Sequence, residues 1–296
     1  MSVAEMQACL ARLYVDEPYR KLFYLDAATT LEEYRLTPEE RAALQGLDRE
    51  RLEFFASSLR SKRKKRLERA FPMLFALDPA EVNRYYARYY QLYTAKARQS
   101  GHDDAMDFGA FMAESLAGAD HLPPFASDLA RYEMLYYGAT FAAGSFAGAE
   151  EAPGEDGAVG PSSRPGMRAG VQLARFAYDM VAIEEALQRG MKPEDIESRP
   201  QETFILFRPA AARAEVGMLR VNGPTKVVLD LCDGRRTVAA IVAETEAILR
   251  AGELEGRVLA TIRRLLEARI LTLDPGATRA ASAQQQAYGA AQAEAM

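Results

Sequence analysis

The sequence predicts a mainly α protein: an N-terminal helical bundle followed by a small α+β module. Three observations predict it. Apolar residues recur at spacings of three and four through the first two-thirds of the 296 residues, punctuated by cap, proline and glutamate signals that start helices. Near Thr203 the pattern changes to short runs of β-branched and aromatic residues. After Asn222-Gly223-Pro224 the helical period returns.

In order along the chain, Met6, Leu10, Leu13 and Tyr14 share one side of a first helix. LTPEERAALQGL opens another. Thr37 caps it, Pro38 suits the first helical position, and Glu40 completes a Thr-x-x-Glu capping box. The stretch DRERLEFFASSLRSKRKKRLERAF follows, with Leu52, Phe55, Leu59 and Leu67 as its apolar stripe, and Pro72 bounds it. Asp78-Pro79-Ala80-Glu81 repeats the cap pattern and opens a tyrosine-rich helix through Tyr93. DFGAFMAESLAG and PPFASDLARYEMLYYGATFA supply two more segments, so residues 1–146 read as a bundle. Residues 147–168 are dominated by Gly, Pro, Ser and acids, and read as a flexible linker.

Residues 169–200 read as a connecting helix, with Leu173, Phe176, Ala177, Met180, Ile183 and Leu187 on one side of Val171–Arg189 and Gly190 to stop it. Residues 201–274 read as the α+β module. ETFILFRP and EVGMLRV predict two or three strands between Thr203 and Val221. One helix is expected over Pro224 to Cys232, a second capped by Thr237, and a third over Leu254 to Arg269. The tail 275–296 has no core pattern and is expected to be disordered.

Composition narrows the function classes. A net charge of −5 argues against a nucleic-acid partner. No run of apolar residues is long enough to span a membrane, and the N-terminal stretch lacks the apolar core of a signal peptide, so a cytoplasmic protein with no membrane partner is expected. Cys9 and Cys232 read as buried small hydrophobes. With His102 and His121 the only histidines, a thiolate or imidazole metal centre has almost nothing to use. No nucleophile-and-base pair stands out. The expectation is a non-catalytic chain with no metal or cofactor of its own.

Several features carry two readings. The run Ser61 to Arg66, SKRKKR, reads as a solvated helix face or as a grip for phosphate or an acidic partner. Tyr85, Tyr86, Tyr89, Tyr90 and Tyr93 fall at helical spacing and serve equally as core or as a partner face. Asp128, Arg131 and Glu133 read as a catalytic constellation or, for Arg131, as local ion pairing, and His121 as a turn residue. Gly101 and Gly109 form no phosphate loop.

A β-rich start followed by three short helices is the outline of a winged helix. Within it, GMLRVNGPTKVVLDLCDGRRTVAAIVAE resembles the PqqD-like peptide-recognition fold, the RiPP recognition element. The residues that carry the likeness are Leu219, Asn222, Leu231, Cys232, Asp233, Gly234, Thr237, Val238 and Ile241. Gly256-Arg257-Val258 departs from the acidic-Val pair that often opens the third helix of that family. The resemblance implies strand addition: an extended peptide docks on an open sheet edge, between it and the third helix. The expected peptide contacts are Leu219, Arg220 and Val221 on the edge strand, with Arg257, Thr261 and Arg264 on the third helix. The arginines suit an acidic leader.

The bundle carries a second likeness. Arg66, Leu67, Phe71 and Pro72, followed by Leu122, Pro123, Asp128, Leu129, Ala130, Arg131 and Glu133, are similar to the N-terminal region of HvfC-type proteins and the related MbnC and TglI partner subunits. Together the resemblances imply the companion subunit of a multinuclear non-heme iron oxidative enzyme, with the iron held in the partner. Such a companion holds a ribosomally made precursor by its leader while the partner modifies a cysteine. Tyr85, Tyr89, Asp128 and Arg131 are the expected partner-binding residues. The rival reading is a winged-helix transcription regulator with a helical sensor. Arg235, Arg236, Arg263, Arg264 and Arg269 would supply its charge, diluted by Glu244, Glu246, Glu253, Glu255 and Glu267.

Overall fold

The computed structural model describes residues 3–93, 100–146, 159–209 and 216–273. The chain divides into two compact units: Met1–Met134 with Val181–Ser198, and Leu135–Met180 with Arg199–Met296. The mainly α class with a small sheet region holds.

The first unit is helical. It comprises α1 (Val3–Val15), α2 (Glu17–Leu25), α3 (Ala27–Thr30), α4 (Pro38–Gln45), α5 (Arg49–Ala70), α6 (Pro72–Leu77), α7 (Pro79–Leu92) and α8 (Gly101–Ser115), together with the first part of α9 (Ala126–Phe146) and most of α10 (Met180–Gln188). The helix starts follow the capping chemistry. Thr37 and Glu40 form the reciprocal box of α4, and Asp48 and Asp78 accept backbone N–H bonds at the starts of α5 and α7. Cys9, Leu13, Tyr19, Phe23, Leu31, Leu44 and Leu52 form one core. A second packing centre is aromatic: Phe108 stands edge-on to Phe71 and Tyr89, with ring centroids 5.2 Å away in both cases.

Gly109 lets α8 and α9 approach closely. A Cβ there would lie 2.7 Å from Met134 Cβ and Cγ and 2.9 Å from Phe71 Cζ. Gly109→Ala gains about 1 kcal/mol of helix propensity but overpacks the contact at a cost of about 1–3 kcal/mol. A lower thermal midpoint is expected, read by circular dichroism.

The second unit holds the sheets. β1 (Gly166–Met167) pairs antiparallel with β5 (Leu271–Thr272). β2 (Gln172–Phe176), β3 (Thr203–Arg208) and β4 (Gly217–Val221) form an antiparallel sheet in the order β2-β3-β4. Three helices follow: α11 (Gly223–Leu231), α12 (Val238–Leu249) and α13 (Glu255–Glu267). Asn222 and Thr237 cap the first two. Leu206 and Val221 of the sheet share one core with Val228, Leu229, Ile241, Val258, Ile262 and Leu265 of the helices.

Two expectations are corrected. The helix expected over Val171–Arg189 is a strand followed by the shorter α10. Leu173 and Phe176 lie on opposite faces of β2, so a spacing that reads as one side of a helix serves two faces of a sheet. Pairing with β3, Leu173 opposite Leu206 and Phe176 opposite Thr203, decides the matter. The expected linker 147–168 is ordered in its second part, while 147–158 lie outside the described residues. Carbonyls of Pro161 and Ser163 accept from the N–H groups of Ala239 and Val238, which open α12, and Val159 packs on the helical core. The expected disorder of 275–296 also falls outside the described residues.

Candidate functional site

β4 ends the sheet. Among the described residues one of its edges pairs with β3 and the other pairs with no strand. The register sets Leu219 opposite Leu206 and Val221 opposite Phe204, so their side chains face the core that α13 helps to form. Leu219 is 48 % exposed, whereas Val221 is 6 % exposed and belongs to that core. Arg220 points to the opposite face, where its guanidinium pairs with Asp179 at 2.9 Å. Of the three residues expected on the edge, only Leu219 therefore offers an exposed side chain on the core-facing side of the sheet. The alternation of a strand forces this: neighbours in sequence cannot share a face.

On α13 the inward positions are Val258, Ile262 and Leu265. Arg257, Thr261 and Arg264, spaced i, i+4 and i+7, form a stripe along one flank. Both arginines are exposed, and the Thr261 hydroxyl donates to the Arg257 carbonyl at 2.9 Å. Arg208 ties this helix to the strand. Its Nη1 donates to the Ala268 carbonyl at 2.6 Å, just past the helix end. Its register partner on β4 is Gly217, where a Cβ would lie 2.8 Å from the Arg208 Nε. Sequence reasoning missed Arg208, although an arginine closing an apolar strand was the available signal.

The Leu-x-x-Cys-Asp-Gly turn is built as architecture. Burial pushes the Cys232 thiol up to about 12, helped by the Asp233 charge. Asp233 accepts from the N–H groups of Arg235 and Arg236 at 2.8 and 3.0 Å, and Gly234 takes φ +73°. On the sheet face of Leu219 lies a shallow cleft lined by Leu173, Phe204, Arg175, Glu202, Lys226 and Asp230. Its charges close on each other, Arg175 with Glu202 and Lys226 with Asp230.

The expected partner-binding residues do not form one surface. Tyr89 is fully buried and donates to the Asp104 carboxylate at 2.8 Å, so it cannot face a partner. Tyr85 is half-buried and stacks on His121, with ring centroids 6.2 Å apart. Asp128 and Arg131 pair one helical turn apart at 3.6 Å. Arg63, within the basic run read as solvated, is buried and bonded to Asp104, while its neighbours Lys62, Lys65 and Arg66 are exposed.

Glu133 has a structural task. Its carboxylate accepts from the N–H groups of Met73 and Leu74 at 2.8 and 2.9 Å, so it caps the helix that Pro72 begins. The Phe-Pro and Arg-x-Glu parts of the bundle motif thus meet. Burial pushes this carboxyl up to about 8, with the two N–H bonds working against the shift and Glu184 adding to it.

Among the described residues no group of three or more His, Cys, Asp or Glu could hold a metal ion. No helix there is long and apolar enough to cross a membrane. Comparison with protein-family models finds no match to this chain, and comparison with curated proteins finds none.

Proposed function

We propose that this chain is an adaptor that captures the leader of a ribosomally made precursor peptide as an added strand on β4. It then presents the peptide to an iron-dependent oxidative enzyme, which supplies the iron and modifies a cysteine. The observation that carries the reading is the position of β4: a sheet-end strand with Leu219 half-exposed on the sheet face whose core includes residues of α13. A sheet followed by three helices, and the motif from Leu219 to Ile241, support a PqqD-like module.

The physics of capture is simple. The edge of β4 that pairs with no strand among the described residues takes an extended chain as a further strand, and alternate side chains of that chain reach Leu219 and the Arg257–Arg264 stripe. Three apolar anchors at roughly 1.5–3 kcal/mol each give a gross gain of about 5–9 kcal/mol. A micromolar affinity needs about 8 kcal/mol net, so after association costs the backbone hydrogen bonds along β4 and pairing of the arginines with an acidic leader must supply the remainder.

The test uses the full chain and a labelled peptide that joins an acidic leader to a cysteine-containing core. Leu219→Glu, at an exposed position, should weaken binding about 10- to 100-fold by removing one anchor. Arg257→Glu with Arg264→Glu should weaken binding to an acidic leader and flatten its salt dependence. Unchanged affinity in both variants rejects the reading. Tight, steeply salt-dependent binding of duplex DNA instead would favour the regulator.

A further inference from the structure

The outward face of α5 carries two different surfaces in one line. Its core side is Leu52, Ala56, Arg63 and Leu67. Beside these, around one flank of the N-terminal half, Phe54, Phe55 and Leu59 are 71 %, 54 % and 40 % exposed. Phe55 stands edge-on to Phe54 and to Tyr14 of α1, so the patch is held as a cluster. The following turns present Lys62, Lys65 and Arg66, and then Arg69, all exposed. No ion pair holds these four cations among the described residues. The acids Glu53 and Glu68 lie to the flank and pair with Arg20 and Lys64.

Such a face is costly in isolation. Lys62 and Arg66, and Lys65 and Arg69, are like charges at i, i+4, which repel across a helix turn. A contiguous exposed aromatic patch is uncommon on a soluble chain without a partner. The concentration of positive charge also runs against the net −5 of the protein. An acidic partner relieves the repulsion, and its apolar residues cover the phenyl rings.

The arrangement along the axis selects the kind of partner. From Phe54 to Arg69 the face runs about 22 Å at 1.5 Å per residue, or some four turns. At its aromatic end Glu50 stands between the exposed Arg49 and Arg51, so the unbalanced positive charge is concentrated at the other end, from Lys62 to Arg69. Single-stranded nucleic acid presents phosphates and bases in alternation, and so calls for interleaved cations and rings rather than separate blocks. We propose that this face docks an acidic amphipathic helix of another protein, with apolar residues against Phe54, Phe55 and Leu59 and carboxylates against Lys62, Lys65 and Arg66. This docking site stands whether or not β4 takes a peptide.

The experiment places a benzophenone amino acid at Phe54, and in a second full-length chain at Lys65, in cells of the source organism. Irradiation should give adducts with the same protein from both positions, mapping to one acidic helical segment. That protein, purified and titrated against the full chain, should bind at least about tenfold more weakly to a Lys62→Glu, Lys65→Glu double variant and to Phe54→Ser. Thermal melts of these variants should not fall below the parent, because all three side chains are exposed and the charge reversals turn i, i+4 repulsion with Arg66 and Arg69 into attraction. Lipid adducts, nuclease-sensitive adducts, different proteins at the two positions, no adduct, or affinity indifferent to charge reversal would each overturn the assignment.

Discussion

Asp104→Ala is expected to destabilise the helical unit by about 3–5 kcal/mol. The Asp104 carboxylate takes the Nε of Arg63 at 3.0 Å and its Nη2 at 2.5 Å, and both side chains are buried. The remaining groups are also engaged: Arg63 Nη1 donates to the Tyr93 carbonyl at 2.8 Å, and the Tyr89 hydroxyl donates to Asp104. Removing the carboxylate leaves a guanidinium buried with one carbonyl partner, while the Tyr89 hydroxyl keeps the backbone carbonyl of residue 104 at 3.0 Å; the stranded charge costs more than the pair itself contributes. Urea unfolding of the full chain, followed by tyrosine fluorescence, measures the loss. Replacing both charges together, Arg63→Met with Asp104→Leu, should recover most of the stability, because no stranded charge remains. A double variant as damaged as the sum of the singles would show that the network contributes through something other than desolvation.

Legibility followed the range of the interaction. Capping boxes, the tyrosine helix and the last three helices rest on neighbours within a turn, and Thr37, Asp78 and Thr237 announce them. The Arg63–Asp104 pair joins positions 41 apart in sequence, and nothing near either residue signals the other. The same holds for Glu133 and the helix start at Pro72. β2 was misread because a tertiary partner, β3, chose between two states that its five residues satisfy equally. At the candidate site, the edge strand was visible in sequence, but the face of each residue was not. Alternation puts Leu219 on the face of Leu206 and sends Arg220 to Asp179, a distinction that appears only when the register is known. Tyr89 shows the converse: a phenol at helical spacing suits core and surface alike until the buried acceptor, Asp104, is located.

Stability of the helical unit should fall as pH rises from about 4.5 to about 8, and Glu133→Gln should remove that component. The Glu133 carboxyl titrates at about 8 in the folded chain against an ordinary value of 4.5, because burial opposes its charge more than the N–H groups of Met73 and Leu74 favour it. Between these values the folded state keeps a proton that the unfolded state has released. The slope of unfolding free energy with pH is therefore negative, up to about 1.4 kcal/mol per unit for one proton. Below the unfolded value the contribution is fully present, and it is lost as the folded carboxyl ionises. The glutamine side chain keeps one acceptor for the α6 start but sets an N–H₂ against the second donor, so the variant begins from a lower baseline and lacks the slope. Urea midpoints at pH 5, 6, 7 and 8 for both chains separate the two effects. Parallel curves would mean that Glu133 is already ionised in the folded protein, with the two backbone bonds outweighing burial.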